Sequence, residues 1–354
     1  MTHPDYTLEA TSDLPGVAFS AMRQIILAQA KAGQLEVLDD ETDRLTVKTA
    51  HGLIGLRPGQ SAETAGMVAA NDQRWLFVMK NAVLMQMKHL MPEVAENMRW
   101  SDGDYAGALP PNFQFVRVKE VTQLGPVFLR AKLEGEDLSS HTIASIHFRL
   151  VQPPKDVEPQ WPSLAPNGST KWPDEPFTLH RPVYTTRSID YDTNTLLTDI
   201  YIHDGGRTTD WAKEVMGGDR GRRVVGLMGP SGGGVIDADS VLMASDETGF
   251  PAAARILENL PEGATGTVYL EAEHGAECEY PVEAPPGVSI EWLARAKGEK
   301  LVDATLAAMP APGETKVWYA GERSDAREVR EAAKAAGWEP HSLRVSGFWR
   351  RPEG

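Results

Sequence analysis

From residue 235 to the C-terminus, short continuous apolar runs alternate with amphipathic ones. Residues 240–244, 266–273, 316–320 and 342–349 read as strands, and 251–260, 299–309 and 324–336 as helices. Apolar strands separated by helical crossovers fold as a doubly wound parallel sheet. Such a sheet binds ligands beyond the carboxyl ends of its strands. Asp246-Glu247-Thr248 follows the first of these strands and precedes a helix, so it falls at that edge. Thr248 is expected either to cap the helix or to face a nucleotide. Gly321-Glu322 holds the equivalent place one strand further on, and Ser324 is the expected cap of the helix after it.

Residues 112–234 have a different pattern. Short alternating runs at 113–121, 126–133, 143–151, 183–188 and 196–202 read as antiparallel strands of a barrel or sandwich. A Pro- and Trp-rich insert at 152–176 is expected to be irregular. Gly229-Pro230-Ser231-Gly232-Gly233-Gly234 lacks the Gly-Lys-Ser/Thr ending of a P-loop, so it reads as the joint between barrel and sheet. Residues 1–105 read as a small α+β domain. Its helices fall at 19–33 and 75–91, with strands at 34–39, 44–50 and 53–56. Its methionines, Met79, Met85, Met87, Met91 and Met98, are expected to fill core space. The expected organisation is therefore three domains: 1–105 α+β, 112–234 β-barrel, and 235–354 doubly wound α/β.

Composition removes several chemistries. A net charge of −15 argues against nucleic acid or an anionic membrane as partner. One cysteine, Cys278, excludes an internal disulfide framework and a thiolate-ligated cluster. The nine histidines form no H-x-x-x-H or H-x-H pair, so no metal site is expected. No window approaches 18 apolar residues and no secretory pattern opens the chain, which points to a cytoplasmic protein.

Two segments carry the chemistry. Arg181-Pro182-Val183-Tyr184-Thr185-Thr186-Arg187 reads as an edge strand. Side-chain alternation puts Arg181, Thr185 and Arg187 on one face and Tyr184 and Thr186 on the other. A guanidinium can clamp a diphosphate, and a phenol offers a flat surface to a ring. The second segment, His203 to Ala212, places Gly205-Gly206 before a helix that Thr208 and Thr209 are expected to cap, followed by Trp211. A helix N-terminus presents N–H groups to phosphate. Together the two would hold a diphosphate and a planar ring, the requirements of a flavin dinucleotide.

These motifs resemble those of the siderophore-interacting proteins, ferric-siderophore reductases of the ferredoxin–NADP reductase superfamily. The family pattern Arg-x-Tyr-Thr-x-Arg is matched by Arg181, Tyr184, Thr185 and Arg187, and the glycine-opened helix by His203 to Ala212. Gly229 to Gly232, the Asp246 to Leu257 segment, and the Gly321-Glu322 and Gly347-Phe348-Trp349-Arg350 endings follow in order. The resemblance implies non-covalent FAD held between barrel and sheet, with NAD(P)H as donor and a ferric siderophore as substrate. It implies cofactor contacts from Arg181, Tyr184, Thr185, Thr186, Arg187, His203, Gly205, Gly206, Thr208, Thr209, Trp211, Asp246, Thr248 and Trp349. Arg149, Arg295 and Arg350 are the implied basic contacts to an anionic siderophore. Three alternatives stay open on these residues: a ferredoxin as donor, another flavin reductase acting on ferredoxin or quinone, and a non-catalytic siderophore binder.

Overall fold

The computed structural model describes residues 5–219 and 221–351. The chain divides into two compact units, one of residues 1–113 with 152–180, the other of 114–151 with 181–354.

In the first unit a five-stranded antiparallel sheet runs in the order Leu8–Asp13, Ala65–Ala70, Gly52–Arg57, Leu45–Thr49, Val37–Asp40. Helices Phe19–Ala32 and Gln73–Leu90 supply its core partners. Gly33 ends the first helix, as the sequence indicates, and Asp72 caps the second through Arg74 N–H. Met79, Met87 and Met98 lie in the core while Met85 faces solvent. Two strands escape the sequence reading. Leu8–Asp13 and Ala65–Ala70 pair with each other, and the second is buried at every position. An Ala/Gly segment has weak strand propensity, and here burial on both faces decides the outcome. The insert also differs from expectation. Residues 152–180 join this unit, where Ser163–Leu164 pairs with Thr170–Lys171 and Asn167 Nδ2 donates to the Ala95 carbonyl at 3.0 Å.

In the second unit seven antiparallel strands run in the order Val183–Thr185, His147–Val151, Val224–Ser231, Phe113–Leu124, Phe128–Gly135, Thr195–Tyr201, Ser188–Asp190. The sheet curls until its ends meet. Thr198 Oγ1 donates to the Thr185 carbonyl at 2.9 Å, and Arg187 N–H to the Leu197 carbonyl at 2.8 Å. The barrel core holds Phe148, Leu150, Leu196 and Ile200, with Trp211 from helix Arg207–Met216. Gly229–Ser231 belongs to the last barrel strand, which bulges between Met228 and Ser231, so the joint begins one step later.

Five parallel strands follow in the order Gly287–Ala294, Thr265–Ala272, Ser240–Asp246, Lys316–Glu322, Leu343–Trp349. Both faces of the central strand are buried, which explains its unbroken apolar run. Helix Arg323–Ala335 is capped by Glu322, whose carboxylate accepts from Ser324 and Asp325 N–H. Ser324 is therefore in the first turn, not the cap. Barrel and sheet are tied through buried polar groups. Arg130 grips Asp199 at 2.7 and 2.8 Å, and the Tyr280 hydroxyl donates to the same carboxylate at 2.7 Å. Arg187 pairs with Glu258, and Arg255 donates to the Thr186 carbonyl.

Candidate functional site

The structure brings the two sequence segments into contact. Tyr184 packs against the barrel core, and its hydroxyl hydrogen-bonds with the Thr208 side chain at the start of helix Arg207–Met216. Burial pushes the phenol up to about 12, against the lowering effect of that bond. Thr208 and Thr209 are not caps. Gly206 is the N-cap residue, and both threonines are buried within the first turn. No side chain caps this helix, so no side-chain cap takes up its leading N–H groups. Gly205 has φ +71° with nothing near the place of a Cβ. A Cβ on Gly206 would sit 2.8 Å from the His203 ring and from Thr209 Oγ1. A close backbone turn opening an uncapped helix fits a diphosphate.

Along the other segment the alternation fails at its end. The strand stops at Thr185, the chain bends, and both threonine hydroxyls turn inward. Thr185 Oγ1 lies 3.3 Å from His147 Nδ1, and Thr186 Oγ1 3.4 Å from His141 Nδ1. Burial, then the nearby Arg255 charge, drives His147 down to about 4, so its ring is neutral at pH 7. Arg187 is committed to Glu258. Arg181 stays at the surface beside Arg149, which donates to its carbonyl at 3.1 Å. Burial and then the Arg149 charge lower the Arg181 pKa, so two cations share this spot in an acidic chain. Two residues, Pro182 and Val183, separate Arg181 from Tyr184, one more than in the family pattern.

A cavity of about 590 Å³ lies where the carboxyl ends of the parallel strands face Tyr201 and His203. Asp246 forms its floor. Trp349 Nε1 donates to Asp246 Oδ2 at 2.6 Å, and the Thr248 hydroxyl and N–H donate to Oδ1 at 2.5 and 2.9 Å. Thr248 thus holds Asp246, and Gly249 caps helix Phe250–Leu257. Burial raises the Asp246 carboxyl to about 6, opposed by those bonds and reinforced by Glu247. Burial also acts on Glu322, but hydrogen bonds from Ser324, Arg351 N–H and Asp325 N–H prevail and bring it to about 2. Tyr201 is raised to about 12 by burial and the Glu247 charge.

Two expected contacts, Trp211 and Arg295, are taken up elsewhere. Trp211 is 1% exposed, and its indole N–H donates to the Arg222 carbonyl at 3.1 Å, which makes it barrel core. Arg295 is held by Glu247, Glu271 and Glu273 at 2.6, 2.7 and 3.2 Å. Arg350 is exposed at the cavity mouth. The Glu247–Glu271–Glu273 group was not singled out as a binding element in the sequence. Its signal was position, since Glu247 and Glu273 directly follow the ends of parallel strands and Glu271 is the next-to-last residue of the second.

Comparison with known proteins agrees with this geometry. The siderophore-interacting FAD-binding domain model matches residues 117–234, and the siderophore-interacting protein model matches 238–352. The chain is 30% identical over 246 residues to the NADPH-dependent ferric-chelate reductase of Escherichia coli (strain K12), covering 67% of this chain and 92% of that protein. It is also 30% identical over 194 residues to the ferric vibriobactin reductase ViuB of Vibrio cholerae, covering 52% and 67%. Among solved structures, a siderophore utilization protein from T. fusca superimposes with TM-score 0.58 at 28% identity, over 68% of this chain and 94% of that one. SipS from Aeromonas hydrophila shares the fold, with TM-score 0.55 at 19% identity, over 68% and 99%. The FAD-binding barrel, the parallel nucleotide sheet and these matches place this chain in the siderophore-interacting protein family.

Proposed function

We propose that the protein is an FAD-dependent reductase that takes electrons from NAD(P)H and delivers them to a ferric siderophore, releasing iron. The observation that carries this reading is the placement of the strand-end cavity against the barrel, beside an uncapped helix opened by two glycines. FAD, when bound, converts a two-electron hydride donation into single-electron steps. Fe(II) is a poorer match than Fe(III) for hard oxygen ligands, so reduction favours release.

The chain's own residues bind and orient. Gly205, Gly206 and the first-turn N–H groups would hold the diphosphate, with Arg181 as its nearby cation. Tyr184, fixed by Thr208, supports the ring side, and the neutral His147 holds the Thr185 hydroxyl in place. Trp349, tied to Asp246, walls the donor cavity. Arg149 and Arg350 are proposed contacts to an anionic siderophore. Arg295 is not, because its three nitrogens already face carboxylates. Among the described residues no helix is long and apolar enough to cross a membrane.

The test is a visible spectrum of the FAD-loaded protein during anaerobic titration with NAD(P)H and then with a ferric siderophore. The flavin band is expected to bleach with donor and return with the iron complex. A band that bleaches but returns only with quinone or ferredoxin would indicate another acceptor. Siderophore binding without flavin uptake would indicate a carrier.

A further inference from the structure

The cavity has a charged corner that bears on which donor it accepts. Strand Thr265–Ala272 lies parallel beside Ser240–Asp246, with Glu271 level with Asp246. Glu271 thus lies near the carboxyl end of the second strand of the nucleotide sheet, which ends at Ala272. In open α/β sheets ligands lie across these strand ends, and in the glycine-rich dinucleotide-binding version of the fold a residue about 20 positions beyond the first turn meets the adenosine ribose; Glu271 stands at a comparable separation from Thr248. A carboxylate there accepts from a free 2′-hydroxyl, whereas an arginine accommodates a 2′-phosphate.

Both residue types are present here, and the geometry decides between them. Arg295 follows the next strand, Gly287–Ala294. Its Nη2 lies 2.6 Å from Glu247, its Nη1 2.7 Å from Glu271, and its Nε 3.2 Å from Glu273. Glu247 and Glu271 are buried, and the second oxygen of Glu271 accepts Leu301 N–H at 2.6 Å. One guanidinium facing three carboxylates leaves an excess of negative charge, and every nitrogen centre of Arg295 is already directed at an acid. Arg350 and Arg351 also line the cavity, but the guanidinium at this corner, that of Arg295, is already engaged by three carboxylates, so a dianionic phosphate entering here meets repulsion.

We propose that the Glu247–Glu271–Glu273 corner makes this reductase select NADH over NADPH, with Glu271, which lines the cavity, and Glu273, which joins it through Arg295, excluding the 2′-phosphate. The inference rests on the NAD(P)H-dependent reading above. The Escherichia coli relative is named for NADPH, so the two proteins part at the donor.

The experiment pairs two readouts on the FAD-loaded protein. Anaerobic flavin reduction is followed with NADH and with NADPH at low salt, and 5′-ADP and 2′,5′-ADP binding are compared by calorimetry. Charge repulsion at this range predicts an NADH preference in kcat/KM of about tenfold or more, and tighter binding of 5′-ADP than of 2′,5′-ADP. Both gaps shrink as salt rises. Glu273, whose side chain is 58% exposed, can be changed without disturbing the core. Glu273→Gln is expected to narrow the donor gap through a lower KM for NADPH. Equal or better use of NADPH, tighter binding of 2′,5′-ADP, or no binding of either nucleotide overturns the proposal. Flavin that neither donor bleaches refutes the reductase reading instead, and the calorimetric comparison still decides the corner's preference.

Discussion

The indole N–H of Trp349 lies 2.6 Å from Asp246 Oδ2, joining the end of the last parallel strand to the end of the first. The bond spans the strand Lys316–Glu322 that lies between them in the sheet. Gly321 permits it, since a Cβ there would stand 3.2 Å from the same carboxylate oxygen. The cavity's floor and wall are therefore one hydrogen-bonded unit.

Asp246 should leave a mark on stability as a function of pH. Its folded-state value of about 6 lies above the ordinary 3.8. Between these values the folded protein keeps a proton that the unfolded chain has lost. Asp246 therefore destabilises the fold at neutral pH, by about 2–3 kcal/mol, and this cost vanishes below pH 4. Asp246→Asn should flatten the decline in stability from pH 4 to pH 7 by a similar amount. Urea unfolding at both pH values measures it, and an unchanged slope would refute the assignment.

Trp211 separates packing from cofactor binding. Trp211→Phe removes a buried hydrogen bond to Arg222 and part of a core ring, and should cost about 2–3 kcal/mol. FAD affinity per folded molecule should be unchanged. Thermal melts and flavin fluorescence titration check the two halves independently, and a large loss of FAD affinity would return Trp211 to the binding site.

Gly206 should behave in the opposite way. Gly206→Ala forces a methyl into the His203 ring and Thr209 Oγ1, both at 2.8 Å. The turn that would carry the diphosphate must shift, so FAD affinity should fall by at least tenfold, about 1.4 kcal/mol. Arg181→Ala should weaken FAD comparably by removing a charge-assisted bond, with little change in melting temperature. Equilibrium dialysis against FAD measures both variants. Undiminished affinity in Arg181→Ala would mean that the extra residue between Arg181 and Tyr184 has moved the cation away from the diphosphate.

The tie between barrel and sheet is a stability prediction. Asp199 is 2% exposed and accepts from Arg130 and Tyr280. Asp199→Ala leaves a part-buried guanidinium without its partner and should destabilise by about 3–5 kcal/mol. Tyr280→Phe removes a single bond and should cost about 1–2 kcal/mol. Chemical denaturation resolves the two, and near-equal effects would contradict the network.

Much of this protein is written in its local sequence. The run at 240–244, buried on both faces, announces a parallel strand, and Leu14-Pro15-Gly16 and Gly33 bracket a helix without any tertiary knowledge. Gly205-Gly206 before a helix signals an anion turn because only glycine tolerates that backbone and that closeness. These features depend on φ/ψ preference and on the period of burial, which are properties of neighbouring residues. The remainder depends on residues far apart in the chain. Ala65–Ala70 becomes a strand because both its faces are covered, and residues 152–180 join the first unit because their partners are near residues 95 and 108. Trp211 turns to the core and Arg295 to three carboxylates for the same reason. Spacing marks a side chain as able to bind, but burial and the charges that folding gathers around it decide whether it is free to do so.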